Sequence, residues 1–443
     1  MIVQSAPWVS GKIPVLGHLL AFRGNPTPFI QRGLEEHGKL FRFKFLRKTV
    51  YVLLGSQNHA AYFHATDAQL GVQEFHRILT PVVGKGIVYD TEPARMDQQM
   101  RLLHAAIHEQ AALGYIDTIV KVVEEFTSRC GKEGTLNISI IMETLLVKIM
   151  SRFILGQDCS SSDSLHISQL YREMKNTISL VSVVWTNAPL LSHWRRDHAR
   201  REVENHFLQI IRQRRLQKIK NQDLLGSLMS SRYPDGSALS DDEVIGLAIM
   251  TFFAAQTNTP ILATWTGLLL AHYPDWSAKI REEAEHPLKQ YPILPTAIQS
   301  QYQMRNFIKE VERLYPTVNL IPRQVLYDFE VGNMVVPAGS FVAVCPPVSH
   351  RLAEVFSNPL NFDPDRFSPG REEDKRQAFS LIGFGGGRHF CLGHTMAQQF
   401  IKLVWGLLLQ KFAFTVDDAD LQINLKKPLT EPLRPLMRYR RYR

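Results

Sequence analysis

The chain has 443 residues, 45% of them hydrophobic, and its 51 Lys and Arg against 42 Asp and Glu leave a formal charge of +9. That composition suits a globular protein with a large core and excludes disordered, collagen-like and coiled-coil classes. Cys130, Cys159, Cys345 and Cys391 lie far apart with no Cys-x-x-Cys pair, which argues against a disulfide framework or zinc finger and for a reduced, cytoplasmic compartment. The start, Met1 to Pro7, lacks the basic flank and apolar stretch of a signal peptide, and no run of about 18 apolar residues marks a membrane span, so no membrane anchor is expected. In chain order, strand patterns cover 40–45 and 49–54. Helical periodicity covers 116–126, 138–154 and the basic stretch 195–222, and short strands return at 329–336 and 341–344. The sequon Asn137-Ile138-Ser139 sits in an apolar stretch and reads as chance. No linker, repeat or low-complexity block divides the sequence. The expectation is one domain, 1–443, mainly α with a small β part.

One helix is specified in unusual detail. Ser240-Asp241-Asp242-Glu243 spells a capping box, and the chain is then apolar on nearly every face until His272-Tyr273-Pro274. A helix of about 33 residues, roughly 50 Å long, that is apolar all round must run through the middle of a large protein. Its middle carries a polar island, Gln256-Thr257-Asn258-Thr259, followed by Pro260. Proline cannot donate to the carbonyl of Gln256, so a kink or an opening is expected there. Buried polar groups are costly without a purpose. The island is therefore a candidate site, the alternative being residues that only satisfy a kink.

The segment Phe384-Gly385-Gly386-Gly387-Arg388-His389-Phe390-Cys391-Leu392-Gly393 is richer still. Gly383, Gly385, Gly386 and Gly387 let the backbone turn tightly and approach something flat or bulky. A helical pattern, 396–409, follows, so the sulfur should sit near a helix start, where N–H groups favour a thiolate. A thiolate on a rigid loop is a soft ligand suited to iron. A phosphate loop is excluded by the lack of Gly-x-Gly-x-x-Gly and Gly-Lys-Ser/Thr spacing. Zinc on His389, Cys391 and His394 lacks a second Cys/His cluster. A plain buried cysteine remains the alternative. Upstream, Glu310 and Arg313 share a helix face, a commonplace pair by itself, and Arg366 supplies a second arginine. The ending, Arg438-Tyr439-Arg440-Arg441-Tyr442-Arg443, reads as a solvated tail or, less simply, as a nucleic-acid contact; no nucleic-acid-binding motif accompanies it.

Taken together and in order, Glu310-x-x-Arg313, Arg366 and Phe384-x-x-Gly387-x-x-x-Cys391-x-Gly393 resemble the cytochrome P-450 superfamily of haem-thiolate proteins across essentially the whole chain. The resemblance implies that fold, with the long helix over the haem. It makes haem b the cofactor and Cys391 the axial iron ligand, and it makes Glu310, Arg313 and Arg366 a structural ion-pair core. Within the superfamily the chain is most similar to bacterial sterol 14-alpha-demethylases, on Pro7 to Gly11, Thr80 to Asp90, Gly387-Arg388-His389 and the Arg-Tyr-Arg-Arg ending. That likeness assigns His389 and Arg323, with Arg101 as a weaker candidate, to the haem propionates, beside Phe384 and Gly385 in the cofactor loop. It assigns Ile78, Leu79, Val83, Tyr89, Phe253, Ala254 and Leu320 to an apolar substrate site. The departures matter as well. Where those demethylases read Phe-Ala-Gly-His-His-Thr-Ser, this chain reads Phe253-Ala254-Ala255-Gln256-Thr257-Asn258-Thr259, so Asn258 replaces the oxygen-activating threonine. Asparagine there resembles bile-acid hydroxylases and prostacyclin synthase, and sterol demethylation in its usual form is thereby in doubt.

The leading expectation is a monooxygenase acting on a sterol, terpenoid or other bulky lipid. It would use O2 and two electrons from a separate ferredoxin- or flavodoxin-type partner steered by the +9 charge, with Asn258, Thr257 and Thr259 on the oxygen side. A haem-thiolate isomerase or dehydratase acting on a peroxide without electrons is the second reading. A non-enzymatic haem ligand binder is the third.

Overall fold

The computed structural model describes residues 5–159, 161–175, 182, 185–217, 223–290 and 292–442. Helices dominate and short strands gather at one side. The strands are β1 (Leu40–Phe45), β2 (Lys48–Leu53), β3 (Leu70–Gly71), β4 (Glu133–Asn137), β5 (Ile321–Val325), β6 (Phe329–Val331), β7 (Met334–Val336), β8 (Phe341–Val344), β9 (Phe412–Thr415) and β10 (Leu436–Arg441). The main sheet runs β1-β2-β8-β5-β3, and only β2 and β8 pair in parallel. Its register sets Arg323 opposite Val342 and carries β3 alongside β5, so residues far apart in sequence meet at one edge.

The central helix spans Asp241–His272, and both hydrogen bonds of its capping box form: Glu243 N–H to Ser240 Oγ at 3.2 Å and Ser240 N–H to Glu243 Oε2 at 2.8 Å. The backbone stays helical through Pro260, so the expected opening at Gln256 does not occur. Packing on every side holds the turn in place, since Ile261, Leu262, Ala263 and Trp265 are all buried. This helix is long and apolar enough to cross a membrane by length and composition, which run-counting missed. In its most apolar window 67% is buried in protein, so its apolarity serves the core. Against it pack the helices Ile138–Leu155, Leu224–Ser230, Tyr302–Leu314 and His394–Lys411.

Three sequence expectations need correction. The 329–336 stretch is not one strand but the hairpin β6-β7, because Gly332 adopts a left-handed φ of +60°. Helix 195–222 is Leu191–Gln217, and 218–222 lie outside the described residues. The basic ending is no solvated tail. β10 is the middle strand of the sheet β4-β10-β9; Arg441 donates to the carbonyls of Thr127 and Cys130 and stacks over Phe412, and Arg438 pairs with Asp417. Asn137 of the sequon also has a structural task, since its side chain caps helix Ile138–Leu155 by accepting from Ile140 N–H at 3.2 Å.

Candidate active site

The cysteine loop folds back on itself. Gly385 N–H donates to Ile382 O at 2.9 Å, Phe390 N–H to Gly387 O at 3.2 Å, and Cys391 N–H to Phe384 O at 3.0 Å. Glycine at 387 is required twice over. Its φ is +59°, and a Cβ there would stand 2.3 Å from the carbonyl oxygen of Phe63. Helix His394–Lys411 starts just beyond Cys391, with Gly393 as its N-cap. Burial pushes the Cys391 thiol up, the N–H groups of Gly393 and His394 pull it down, and nearby Glu312 pushes it up again. The net shift is upward, so the helix start alone does not make this sulfur a thiolate. A cation bound to it would, because a metal displaces the thiol proton outright. Cys391 is also exposed, while the cysteine most deeply placed in the fold, Cys345, is buried with its thiol pushed up to about 12. A side chain that is both exposed and crowded by protein lines a concave surface.

The loop's cations are held from two other segments. His389 Nε2 lies 2.5 Å from Asp67 Oδ1, Arg388 Nε lies 3.3 Å from Asp67 Oδ2, and Arg388 also pairs with Asp97. Burial opposes the ionisation of Asp67, but the His389 hydrogen bond and the charges of His389, Arg388 and Arg323 win, holding its carboxyl below the usual range. Nothing in the sequence pointed to Asp67 or Asp97, which lie roughly 300 residues upstream of their partners.

Arg323 is buried, and its guanidinium donates to Tyr62 O at 3.2 Å, beside the Tyr62 and Phe63 rings. It forms no ion pair among the described residues. A buried guanidinium with spare donors calls for an anion. Tyr89 stacks on His76 at 3.9 Å, and burial pushes its hydroxyl up, with Cys391, Arg323 and Asp67 all near enough to act on it. The structure thus gathers Cys391, His389, Arg323, Tyr89 and His76 around one place. Arg101 is not gathered there by any contact: it is exposed on helix Pro93–Leu113 and forms no ion pair among the described residues.

On the central helix, Ala254 is exposed although its neighbours Phe253 and Gln256 are buried, and Asn258 lies one turn on along the same face. Asn258 Oδ1 and Gln256 Nε2 are buried without hydrogen-bond partners among the described residues. Thr257 is committed elsewhere: its hydroxyl donates to Phe253 O at 3.0 Å and meets the Tyr171 hydroxyl at 3.1 Å. Thr259 is half-buried. Phe253 faces Tyr171 edge-on at 5.2 Å, in an apolar seam with Ile167, Met174, Val203 and Phe207. Of the expected substrate residues, Val83 is buried in the helical core and Leu79 and Tyr89 pack against it, while Ile78 is half-buried. Leu320 packs instead against the sheet-side cluster of Phe29, Phe41 and Phe341.

Beneath the loop lies the ion-pair core. Glu310 binds Arg313 through two hydrogen bonds, 2.7 and 2.8 Å, and Arg366 Nε at 3.0 and 3.1 Å, and it accepts Asp363 N–H at 2.7 Å. Glu373, absent from the sequence reading, binds Arg366 at 2.8 Å, so two carboxylates balance two guanidiniums in full burial. The core reaches the loop through His350. Its Nε2 accepts Ile382 N–H at 2.8 Å, which leaves the proton on Nδ1 to donate to Arg313 O at 3.2 Å. Burial drives His350 well below its ordinary range, so it serves as a neutral strut.

The donor set fits a flat, anionic, iron-bearing macrocycle: one soft sulfur in a concavity, a buried arginine lacking an anion, and a small side chain, Ala254, left open on the central helix. Comparison with known proteins agrees. A family model described as "Cytochrome P450" matches residues 7–437. Obtusifoliol 14-alpha demethylase of Sorghum bicolor is 33% identical over 409 residues, 90% of this chain and 83% of that one. Lanosterol 14-alpha demethylase of Rattus norvegicus is 30% identical over 445 residues, 99% and 88% of the two chains. The solved structure of the retinoic-acid-bound cyanobacterial protein CYP120A1 superposes with a TM-score of 0.87 over 99% of this chain and 100% of its own, at 20% identity.

Proposed function

Because the chain belongs to the cytochrome P450 family of haem-thiolate monooxygenases, we propose that it hydroxylates or demethylates a bulky apolar molecule of the sterol, triterpenoid or related lipid class. O2 and two electrons from a separate ferredoxin- or flavodoxin-type protein would drive the reaction. The observation that carries this reading is Cys391: a sulfur lining a concave surface, at a helix start, on a loop braced by the buried ion pairs. The cofactor it would hold is haem b, with Arg323 and His389 facing the propionates and Phe384 and Gly385 forming the loop beside it. When bound, the haem supplies the activation of O2.

This chain's own residues then orient, exclude water and move protons. Val83, Leu79, Ile78 and Tyr89 offer an apolar wall, and Ala254 leaves room on the central helix. The substrate class is taken from the sterol demethylases that the chain is similar to. Asn258 presents an amide, which donates a hydrogen bond but has no hydroxyl through which to pass a proton. Proton delivery therefore falls to the Thr259 hydroxyl or to water beside Gln256, whose carbonyl receives no N–H from Pro260. The net charge of +9 supports an acidic electron donor, whose on-rate should fall with ionic strength.

The test combines the purified chain with an acidic ferredoxin, its reductase and NADH against a sterol and triterpenoid panel. Product formation that requires both O2 and electrons is expected. Turnover of a lipid peroxide without electrons would replace this reading with the isomerase that Asn258 also suits. The reduced carbon monoxide complex should show the red-shifted Soret band of thiolate ligation, and Cys391→His should lose it.

A further inference from the structure

A cavity of about 500 Å³ lies between helix Thr27–His37, the end of helix Tyr302–Leu314, the short helix Pro346–Ser349 and the loop of Ile423 and Leu425. No residue of its lining belongs to the cysteine loop, the central helix or the group around Arg323. Small-molecule sites commonly span roughly 300–1,000 Å³. The walls are largely apolar, with Leu34, Leu314, Val348 and Ile423 among them. Leu360 and Leu425 also line it although they are 75% and 57% exposed, so two large apolar side chains stand open to water beside one cavity. The uncharged polar groups are already engaged. Asn25 accepts Thr27 N–H at 2.9 Å, Thr430 donates to Asn319 at 2.7 Å, and Gln31 donates to Glu35 at 3.0 Å. Arg351 differs from them. It is the one charged side chain of the lining, and it forms no ion pair among the described residues. Its two amino groups donate to the carbonyls of Pro347, at 2.6 Å, and of Leu314. A guanidinium carries five N–H donors, so those neutral acceptors leave both donors and charge to spare.

We propose that this cavity binds an anionic amphiphile, a fatty carboxylate whose head meets Arg351 and whose chain lies along Val348, Ile423 and Leu425. A planar guanidinium matches the geometry of a carboxylate, and a single cation suits a head of single charge. Burial and the charge of Arg313 both pull Arg351 below its ordinary range, and a bound anion would oppose both. Size agrees with the assignment. At about 30 Å³ per non-hydrogen atom, the share of a water molecule in the liquid, a twelve-carbon carboxylate takes roughly 420 Å³. That fits the cavity of about 500 Å³. The site is separate from the haem pocket and independent of what Cys391 holds.

Sodium dodecanoate, kept below its micelle concentration, is titrated calorimetrically into the haem-loaded protein with an iron-coordinating azole already bound. The azole fills the haem pocket, so the remaining heat reports the second site. One equivalent of dodecanoate should bind. Dodecanol, with the same chain and no charge, should bind about tenfold more weakly or worse. Arg351→Met should weaken dodecanoate by a similar factor. Leu425→Glu sets a carboxylate on the exposed rim and should also weaken it about tenfold, which keeps the question decidable if the methionine variant does not fold. Dodecanoate that fails to bind once the azole is present overturns the proposal, because the haem pocket is then its only site. Equal affinity for dodecanol overturns it as well, as does unchanged affinity in a folded Arg351→Met or in Leu425→Glu.

Discussion

The two sides of the site are built on opposite principles. On the cysteine side polar groups are densely paired: Glu310, Glu373, Arg313 and Arg366 balance one another in full burial, and His350 carries that rigidity to Ile382 at the loop. His59 braces the approach from another direction, contacting Phe379 O at 2.9 Å and Ser349 Oγ at 3.0 Å. On the central helix the reverse holds. Among the described residues Gln256 and Asn258 keep buried polar atoms without partners, while apolar neighbours surround them. A ligand-holding loop must resist distortion, whereas a surface that meets changing guests needs polar atoms still free to bond. The contrast locates where this protein invests stability and where it keeps chemistry available.

Glu310→Gln attacks the paired side most directly, since it leaves two buried guanidiniums facing one remaining carboxylate. A loss of about 3–5 kcal/mol is expected, read as the midpoint of denaturant unfolding; an unchanged midpoint would mean that the core is not what supports the loop.

Acid should weaken the same side next. Burial lowers His59 from the ordinary 6.5 to about 4, with the Phe379 carbonyl and Glu354 opposing that shift. Between those two values the unfolded chain takes up a proton that the native state refuses. Stability is therefore full above pH 6.5 and falls as pH drops toward 4, by roughly 3 kcal/mol. His59→Gln should flatten that slope in a pH series of thermal unfolding, and an identical slope in the variant would remove His59 from the account.

The open side should respond with the opposite sign. Gln256→Met replaces a buried amide that has an unpaired Nε2 with an apolar chain of similar length. A gain of about 1 kcal/mol is expected, and a loss would show that Gln256 has a partner that matters more than its burial cost.

Smallest in stability and most informative in chemistry is Asn258→Ala. Its Oδ1 has no partner to lose among the described residues, so stability should stay within about 0.5 kcal/mol of wild type. Product per NADH should fall and peroxide release rise, while Asn258→Thr retains coupling. Product, NADH and peroxide measured together decide the matter, and unaltered ratios in the alanine variant would exclude Asn258 from the oxygen side.

What was legible in the sequence was local or tied to a motif. The capping box and the all-round apolarity of 241–272 specify the central helix, because a helix start and a buried surface are written in neighbouring residues. Cys391, its glycines, Glu310, Arg313 and Arg366 were visible as a fixed spacing. What only the tertiary structure decided was which distant residues meet. Glu373 completes the charge balance, Asp67 and Asp97 hold His389 and Arg388, and Tyr171 claims Thr257 and Phe253, all across sequence separations that no periodicity encodes. The basic ending shows the same limit: its alternation of Arg and Tyr suits a solvated tail, yet it becomes a central strand once β4 and β9 flank it, because strand propensity follows the partners on either side. Pro260 forecast a kink or an opening, of which the opening does not form, and a helix start forecast a thiolate that burial opposes. In both places the local rule was sound, and the surrounding protein supplied the larger energy.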